Sequence, residues 1–405
     1  MAAIHCAIAH AETIVIESNT TAGKKLLQSG GGRCNFTHLA GADEIARAFG
    51  PKGRFLSYSL HRFTPEQVRR FFRKLGLESE VEQDGCVFPV TERAGDVRDV
   101  LVKCAKSRGV HFYFGKPVKR VVRDGNFFAV HVADEVIFAK KMIIATGGLS
   151  WPQTGSTGDG YRFAQELGHH VTEPRASLVP LVTRESWPWE LAGASLKDVR
   201  ISAVVGGRKV VVTGPMMFTD DGIGGPAVLD SSRLLTDYLP NSKNPIEICV
   251  DMVPGANEQE LDKQIRERIV ANPKKTVAGI LAFLVPRRAA TTLCGQCRQA
   301  WPSPFNFNAG LLGSELKKDV RKKLVRILKA LPLSIASTRP LNEAIVTRGG
   351  VDIEQVQSKT MESKICPGLF FAGEVLDVDG PCGGYNLQMC WSTGALAGQS
   401  AAKNL

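Results

Sequence analysis

The first residues of the chain carry the second half of a dinucleotide-binding unit. Residues 1–11 are rich in alanine and isoleucine and predict a helix, and residues 13–17 (TIVIE) predict a buried parallel strand that ends in Glu17. A helix followed by an apolar strand and a terminal acid is typical of the βαβ unit that binds dinucleotides. This order restricts the fold class to α/β and makes Glu17 the first candidate binding residue.

The glycine loop of such a unit is not where the pattern requires it. The acid lies about 20 residues after the first glycine of G-x-G-x-x-G, so counting back from Glu17 puts that glycine before Met1. We expect a start codon placed at an internal Met. The alternative is a genuine loss of the loop, which would delete a central strand and leave sheet edges open.

A second glycine-rich segment follows the strand. Residues 29–35 (SGGGRCN) contain three consecutive glycines, which let a backbone approach a ligand closely and present its N–H groups. The alternative is a flexible surface turn. Lys24 and Lys25 before the glycines and Arg33 after them favour a bound anion.

The rest of the pattern predicts two domains. A hairpin is expected at residues 118–132 around Asp124-Gly125, and a buried strand at 142–145 runs into Thr146-Gly147-Gly148. The middle of the chain changes to hairpin strands and then to helices. We therefore expect a discontinuous dinucleotide-binding domain at residues 1–180 and 341–405, interrupted by a β-plus-helical domain at 181–340.

Charge and hydropathy narrow the function classes. The net charge is +11, and the densest basic run, residues 317–323, lies in an amphipathic helix without interleaved aromatic residues. We interpret the excess charge as a solvated surface and expect no nucleic-acid interface. No apolar run approaches the roughly 18 residues that span a bilayer, and no basic signal-peptide region begins the chain. A cytoplasmic protein without a membrane contact is therefore expected.

Other catalytic motifs are not supported. Ten cysteines at irregular positions predict reduced thiols, including the C-x-x-C pair at 294–297. The eight histidines do not cluster, so no metal site is expected, and His169-His170 are predicted at the surface. Residues 222–227 match G-x-G-x-x-A, but no buried strand precedes them, so they are interpreted as a structural turn.

Four segments together resemble the bacterial flavoprotein family of YhiN and BaiN, over nearly the whole chain. They are residues 22–35 (AGKKLLQSGGGRCN), 144–148 (IATGG), 360–364 (TMESK) and 368–388 (GLFFAGEVLDVDGPCGGYNLQ). The resemblance implies a Rossmann-like FAD-binding domain of the two-dinucleotide-binding-domain type, interrupted by an inserted β-barrel plus helical domain. It also implies noncovalent FAD.

The resemblance further implies a role for each matching residue. At the adenosine end, Glu17 would bind the ribose hydroxyls and the Val118 backbone would bind adenine. Ser29, Gly30, Gly31 and Gly32 would line the cofactor, and Thr146 and Gly147 would approach it at a strand end. Gly373 and Glu374 would lie by the ribityl phosphate, with Asp377 nearby, and Gly384, Asn386 and Leu387 would lie beside the isoalloxazine. The helix after Gly384 would stabilise negative charge on the reduced flavin.

Three hypotheses for function follow. The first is an FAD-dependent oxidoreductase that passes hydride to a small-molecule substrate, with NAD(P)H as the candidate transient reductant and no catalytic acid or base named. The second is a degenerate flavoprotein that acts as a non-catalytic binding module, because the pyrophosphate loop is absent. A third and weaker hypothesis, prompted by the basic charge, is a flavoprotein that acts on RNA.

Overall fold

The computed structural model describes residues 1–133, 135–239, 245–300 and 310–403, without the side chains of 295–300. The chain divides into two compact units. The first consists of Met1–Ser177 and Leu341–Leu405, and the second of Leu178–Pro340.

The helices of the described residues, in chain order, are α1 (Ala2–Ile8), α2 (Ala42–Ala48), α3 (Gly53–Arg62), α4 (Pro65–Lys74), α5 (Ala94–Lys106), α6 (Asp159–Glu166), α7 (Pro226–Leu235), α8 (Glu258–Ala271), α9 (Val277–Leu281), α10 (Arg287–Ala300), α11 (Lys318–Lys329) and α12 (Tyr385–Ala401). Among these helices none has the combination of length and apolarity that crossing a bilayer requires.

The strands, in the same order, are β1 (Ile14–Glu17), β2 (Thr37–His38), β3 (Ser79–Val81), β4 (Cys86–Pro89), β5 (His111–Phe114), β6 (Val118–Asp124), β7 (Phe127–Val132), β8 (Glu135–Ala139), β9 (Met142–Ile144), β10 (Val171–Ser177), β11 (Leu181–Thr183), β12 (Ser195–Val205), β13 (Arg208–Thr219), β14 (Gly222–Gly224), β15 (Ile246–Asp251), β16 (Leu331–Thr338), β17 (Val346–Val351) and β18 (Leu369–Phe371).

Parallel strand pairs organise the first unit. Strand β1 pairs with β5, with Glu17 opposite Phe114, and β9 pairs with β18, with Ile144 opposite Phe371. Both pairs are parallel, as expected for a Rossmann-type fold. The predicted hairpin is confirmed as β6 and β7, which continue antiparallel into β8.

Helix α12 runs through the core of this unit, and α1 packs closely on it. A Cβ atom on Gly398 would lie 2.2 Å from the Ala2 carbonyl oxygen, so the contact requires glycine. An aromatic cluster covers another side of α12, where the Trp391 ring meets Phe72 edge-on and its indole N–H donates to the Phe36 carbonyl at 2.7 Å. These contacts fix α12 along its length.

Helix α4 shows how far local patterns determine structure. The Thr64 hydroxyl accepts the backbone N–H of Gln67, and the Gln67 side chain accepts the backbone N–H of Thr64, so the two residues form a capping box. Val68 and Phe72 on one face are fully buried.

The second unit contains a closed six-stranded barrel within the described residues, in the order β11-β14-β13-β12-β15-β16. Its interior is apolar, with Phe218, Leu333 and Ile335 almost completely buried. The inserted β-barrel and helical architecture is therefore confirmed. Arg321 on α11 pairs with Asp262 on α8 at 2.7 Å and lowers the pKa of that carboxyl.

Two local predictions are wrong. The glycine-rich residues 222–227 are not a turn: Gly222–Gly224 form β14, which pairs with β11 and β13, and α7 begins at Pro226. A Cβ on Gly222 would lie 2.1 Å from the Leu181 carbonyl oxygen, so the pairing with β11 requires glycine at this position. His169 is not at the surface but 4% exposed, with Nε2 2.7 Å from the Ser363 hydroxyl and its ring against Phe371. His170 is exposed as expected.

Candidate cofactor site

The carboxyl end of β1 presents one open carboxylate oxygen. Glu17 Oε1 accepts the backbone N–H of Asn19 at 2.8 Å and its side-chain amide at 3.0 Å. The same amide donates to the Thr154 carbonyl at 3.0 Å, which ties this end to the segment after β9. No hydrogen bond to Glu17 Oε2 is formed by the residues that the structure describes, so this oxygen can accept a hydrogen bond from a ligand hydroxyl.

The glycine loop has the open backbone that the sequence predicts. Ser29 is extended, while Gly30, Gly31 and Gly32 have φ values of 56°, 66° and 88°. A Cβ on Gly30 would lie 2.7 Å from the Asn35 backbone nitrogen, so this position needs glycine. Apart from its two chain neighbours, no described residue has an atom within 4 Å of the corresponding point on Gly31, which leaves its backbone accessible.

Arg33 is engaged elsewhere. Its guanidinium pairs with Glu82 at 2.7 Å and Glu92 at 3.1 Å and lies 4.0 Å from the centroid of the Phe88 ring. The hydrogen bond to Glu82, together with that to Glu92, raises the pKa of Arg33. Its charge is thus balanced within the protein, and a role for Arg33 on a bound anion stays a prediction.

Lys25 and Glu374, both candidate cofactor residues, are bonded to each other. Lys25 Nζ lies 2.6 Å from Glu374 Oε2 and 2.7 Å from Ser150 Oγ. Glu374 Oε1 accepts the Thr347 backbone N–H at 2.8 Å and the Ser150 hydroxyl at 3.2 Å. The pair connects the loop before the glycines to the ends of β9 and β18, so it positions the walls of the site.

The turn after β9 lies against the same cluster. Thr146 is exposed, and Gly147 has a φ of 76°. Beyond its chain neighbours, the part of the chain that the structure describes has no atom within 4 Å of the point that a Cβ on Gly147 would occupy. At Gly148 a Cβ would lie 2.3 Å from Thr347 Oγ1 and 3.0 Å from Glu374 Oε1. Gly148 therefore allows the close packing, while Gly147 leaves backbone free to face a ligand.

The segment after β18 is fixed by a second ion pair. The Gly373 N–H donates to Thr393 Oγ1 at 3.0 Å. Asp377 pairs with Lys52 and accepts the Gly349 N–H at 3.0 Å. Asp377 is thus held by protein partners rather than joined to the Lys25–Glu374 pair.

Gly384 is the N-cap residue directly before α12. This residue has a φ of 88°, and a Cβ on it would lie 2.3 Å from the Thr37 carbonyl oxygen. Asn386 Oδ1 accepts the Gly380 N–H at 2.8 Å, and its Nδ2 donates to the Gly380 carbonyl at 2.9 Å. Leu387 packs on the aromatic cluster. Gly384 has no side chain that could cap α12, so among the described residues the positive end of the helix can face an anion.

Val118 is the first residue of β6, opposite Val132, and packs against the apolar core that contains Ile144. Sequence reasoning missed Thr347, Lys52 and Gln388. Gln388 accepts the Thr37 hydroxyl at 2.5 Å and donates to the Phe63 carbonyl at 2.9 Å. The pair Gly349-Gly350, close after Thr347, was the one sequence pattern that could have drawn attention to this segment.

Four thiols of the described residues have a pKa raised by burial to about 12: Cys34, Cys86, Cys294 and Cys390. These groups stay protonated at neutral pH. The side chain of Cys297, the other member of the C-x-x-C pair, lies outside the described residues. Within the described part of the chain, no group of three His, Cys, Asp or Glu residues is placed to hold a metal ion.

Comparison with known proteins is consistent with this architecture. A family model described as "HI0933-like protein Rossmann domain" matches residues 1–400. A 3-dehydro-bile acid delta(4,6)-reductase from Clostridium scindens is 30% identical over 397 residues, covering 97% of this chain and 93% of the relative. A ribosomal RNA dihydrouridine synthase from Haemophilus influenzae is 32% identical over 392 residues, covering 94% and 90%.

The solved structure of 3-ketosteroid delta1-dehydrogenase from Sterolibacterium denitrificans superposes with a TM-score of 0.52 at 12% identity, covering 100% of this chain and 97% of the other, and shares the fold. The resemblance inferred from the four motifs is confirmed. The chain therefore belongs to the HI0933-like Rossmann domain family and is an FAD-dependent oxidoreductase.

Proposed function

We propose that this chain reduces a carbon–carbon double bond conjugated to a carbonyl group, using noncovalently bound FAD with NAD(P)H as the reductant. The observation that carries the proposal is the chemistry shared by two relatives that cover nearly the whole chain. One is named for reduction of a 3-oxo bile acid at the 4,6 positions, and the other for conversion of uridine to dihydrouridine. Both names denote saturation of a bond next to a carbonyl.

The residues of the first unit fit FAD. Glu17 Oε2 would accept the adenosine ribose hydroxyls, and the open backbone at Gly31 and Gly147 would approach the cofactor closely. The uncapped end of α12 at Gly384 would face the pyrimidine side of the flavin ring. Ser29, Gly373, Asn386 and the Val118 backbone remain proposed contacts on the same grounds.

FAD, when bound, supplies a hydride acceptor for NAD(P)H and a hydride donor for the substrate. The protein's part is orientation and electrostatics. The N–H groups at the start of α12 would stabilise negative charge on the reduced ring, and the Lys25–Glu374 pair would keep the two strand ends at a fixed separation. In the overall reaction the β-carbon of the substrate gains a hydride, the α-carbon gains a proton, and NAD(P)H is oxidised.

A small enone is the preferred substrate class, and uridine in RNA is the second candidate. The net charge of +11 favours the second candidate, together with the name of the Haemophilus influenzae relative. A protein that uses its basic surface on RNA would bind with an affinity that falls steeply as salt rises.

The test is anaerobic reduction of the FAD-loaded chain by NADPH or NADH, followed by addition of a 4-en-3-one steroid or a uridine-containing RNA. We expect reoxidation by the enone, with a saturated ketone as product by mass spectrometry. Reoxidation by RNA alone, with a mass increase of two hydrogens per uridine, would select the second candidate. Failure of both acceptors, with flavin reduction intact, would reject the conjugated double bond as substrate.

A further inference from the structure

A second pocket in the first unit lies at the far end of α12. It is a cavity of about 240 Å³. Lys141 lies directly before β9, and Lys403 follows the end of α12. The candidate cofactor residues instead follow the carboxyl ends of β9 and β18 and precede α12. Because α12 has 17 residues, its two ends are about 25 Å apart at 1.5 Å per residue.

The lining of this pocket is strongly cationic. Four basic side chains and one carboxylate line it: Arg62, Lys141, Lys359, Lys403 and Glu362. None of the four cations forms an ion pair with an acid among the residues that the structure describes, whereas Glu362 Oε1 already accepts the Gly368 N–H at 2.8 Å. Among the described residues, the pocket therefore concentrates positive charge that no acidic side chain pairs with.

Neutral groups complete the recognition surface. Thr360 and Ser400 add hydroxyl groups, buried Phe370 and Leu396 form an apolar floor, and Tyr58 is 39% exposed at the lining. The volume is below the roughly 300–1,000 Å³ typical of drug-sized ligand pockets. A dinucleotide such as FAD is therefore too large, while a phosphate group with a small substituent is of suitable size.

We propose that this pocket binds a phosphate dianion, either inorganic phosphate or the phosphate of a small phosphomonoester. Lysine and arginine side chains recognise phosphate oxygens through charge-assisted hydrogen bonds. The Tyr58 ring gives a phosphomonoester with a planar base a face on which to stack. The site is separate from the proposed oxidoreductase site and does not depend on the substrate of that reaction.

The experiment is isothermal titration calorimetry of the full chain, loaded with FAD, in a chloride buffer. Inorganic phosphate and AMP are the two probes. We expect saturable binding at one site, weakened by at least about tenfold in the variant Lys359→Ala/Lys403→Ala, because two charge-assisted contacts are lost. The matched control is Lys74→Ala/Lys119→Ala, which removes two exposed lysines of the same unit outside the pocket and should leave the affinity unchanged.

The variant Tyr58→Ser distinguishes the two sources of phosphate. If it weakens binding of AMP but not of inorganic phosphate, the site takes a phosphomonoester; if both affinities stay equal and unchanged, it takes free phosphate. Either result supports a phosphate site. The absence of saturable binding of both probes, or an equal loss of affinity in the control variant, would overturn the proposal.

Discussion

The ion pair between Lys25 and Glu374 provides the sharpest test of how the site is held together. Replacement of Lys25 by Met removes the cation while retaining an apolar stem of similar length. The change breaks two hydrogen bonds, to Glu374 at 2.6 Å and to Ser150 at 2.7 Å. The Glu374 side chain is only 13% exposed and would lose its cationic partner.

The expected cost lies between two known limits. Exposed ion pairs contribute about 0–1 kcal/mol, and breaking a buried pair costs about 3–5 kcal/mol. With side chains 27% and 13% exposed, this pair is partly buried, so we expect a loss of about 2 kcal/mol. In a domain of about 150–250 residues this corresponds to a decrease in Tm of roughly 4–8 °C.

The assay is thermal unfolding followed by circular dichroism, with Lys25→Met, Glu374→Gln and the double variant in a thermodynamic cycle. Lys116→Met is the matched control, since Lys116 pairs with Glu135 at 3.3 Å in an exposed position of the same unit. The control should lose no more than about 0.5 kcal/mol. Equal losses in Lys25→Met and Lys116→Met, or additive effects in the cycle, would refute the reasoning.

Three further predictions concern the N-cap of α12 at Gly384, the buried histidines and the buried thiols. Gly384→Ala should lower both Tm and the ratio of bound flavin to protein, because the added Cβ would lie 2.3 Å from the Thr37 carbonyl oxygen. The control Gly109→Ala has a similar φ of 82° but meets no atom of the described residues beyond its chain neighbours, so it should lower the free energy of unfolding by only about 1–2 kcal/mol. Equal effects of the two substitutions would contradict the packing argument. Burial lowers the pKa of His5 to about 4 and also lowers that of His169, so the unfolded chain takes up protons first as pH falls below 6.5. In urea unfolding, His5 alone should make the free energy of unfolding up to about 2 kcal/mol lower at pH 5 than at pH 7. The variant His5→Gln should show a smaller difference between the two pH values. Identical free energies of unfolding at both pH values would exclude this contribution. Iodoacetamide at pH 8 should leave Cys34, Cys86 and Cys294 unmodified in the folded chain but alkylate them in urea, as read by mass spectrometry, since burial raises the pKa of each to about 12. Rapid labelling of the folded protein would show that these thiols are accessible.

Local patterns predicted elements whose structure depends on neighbouring residues. The strand ending at Glu17, the capping box at Thr64 and the hairpin between β6 and β7 all follow from side chains a few positions apart. The α/β fold class was predicted from the same local patterns, whereas the inserted β-barrel was predicted from the family resemblance. Helix boundaries also depend on local caps: α9 begins at Val277, because the Thr276 hydroxyl accepts the Gly279 N–H.

Contacts between distant parts of the chain were not available from such patterns. Lys25 and Glu374 were each predicted to contact the cofactor, yet 349 positions separate the two partners of this ion pair. Burial of His169 depends on Ser363, which is 194 residues away. The strand at Gly222–Gly224 depends on β11 and β13 as neighbours on both sides. Tertiary packing decided each of these positions, and no local periodicity encodes it.

The most direct test of the central claim is the absorption spectrum of the purified chain after reconstitution with FAD and removal of excess cofactor, recorded anaerobically before and after NADPH. The account predicts a bound flavin spectrum near one FAD per chain, release of intact FAD on denaturation, and bleaching by NADPH that a conjugated enone reverses. A chain that folds but retains no flavin would contradict the account and favour a non-catalytic binding module.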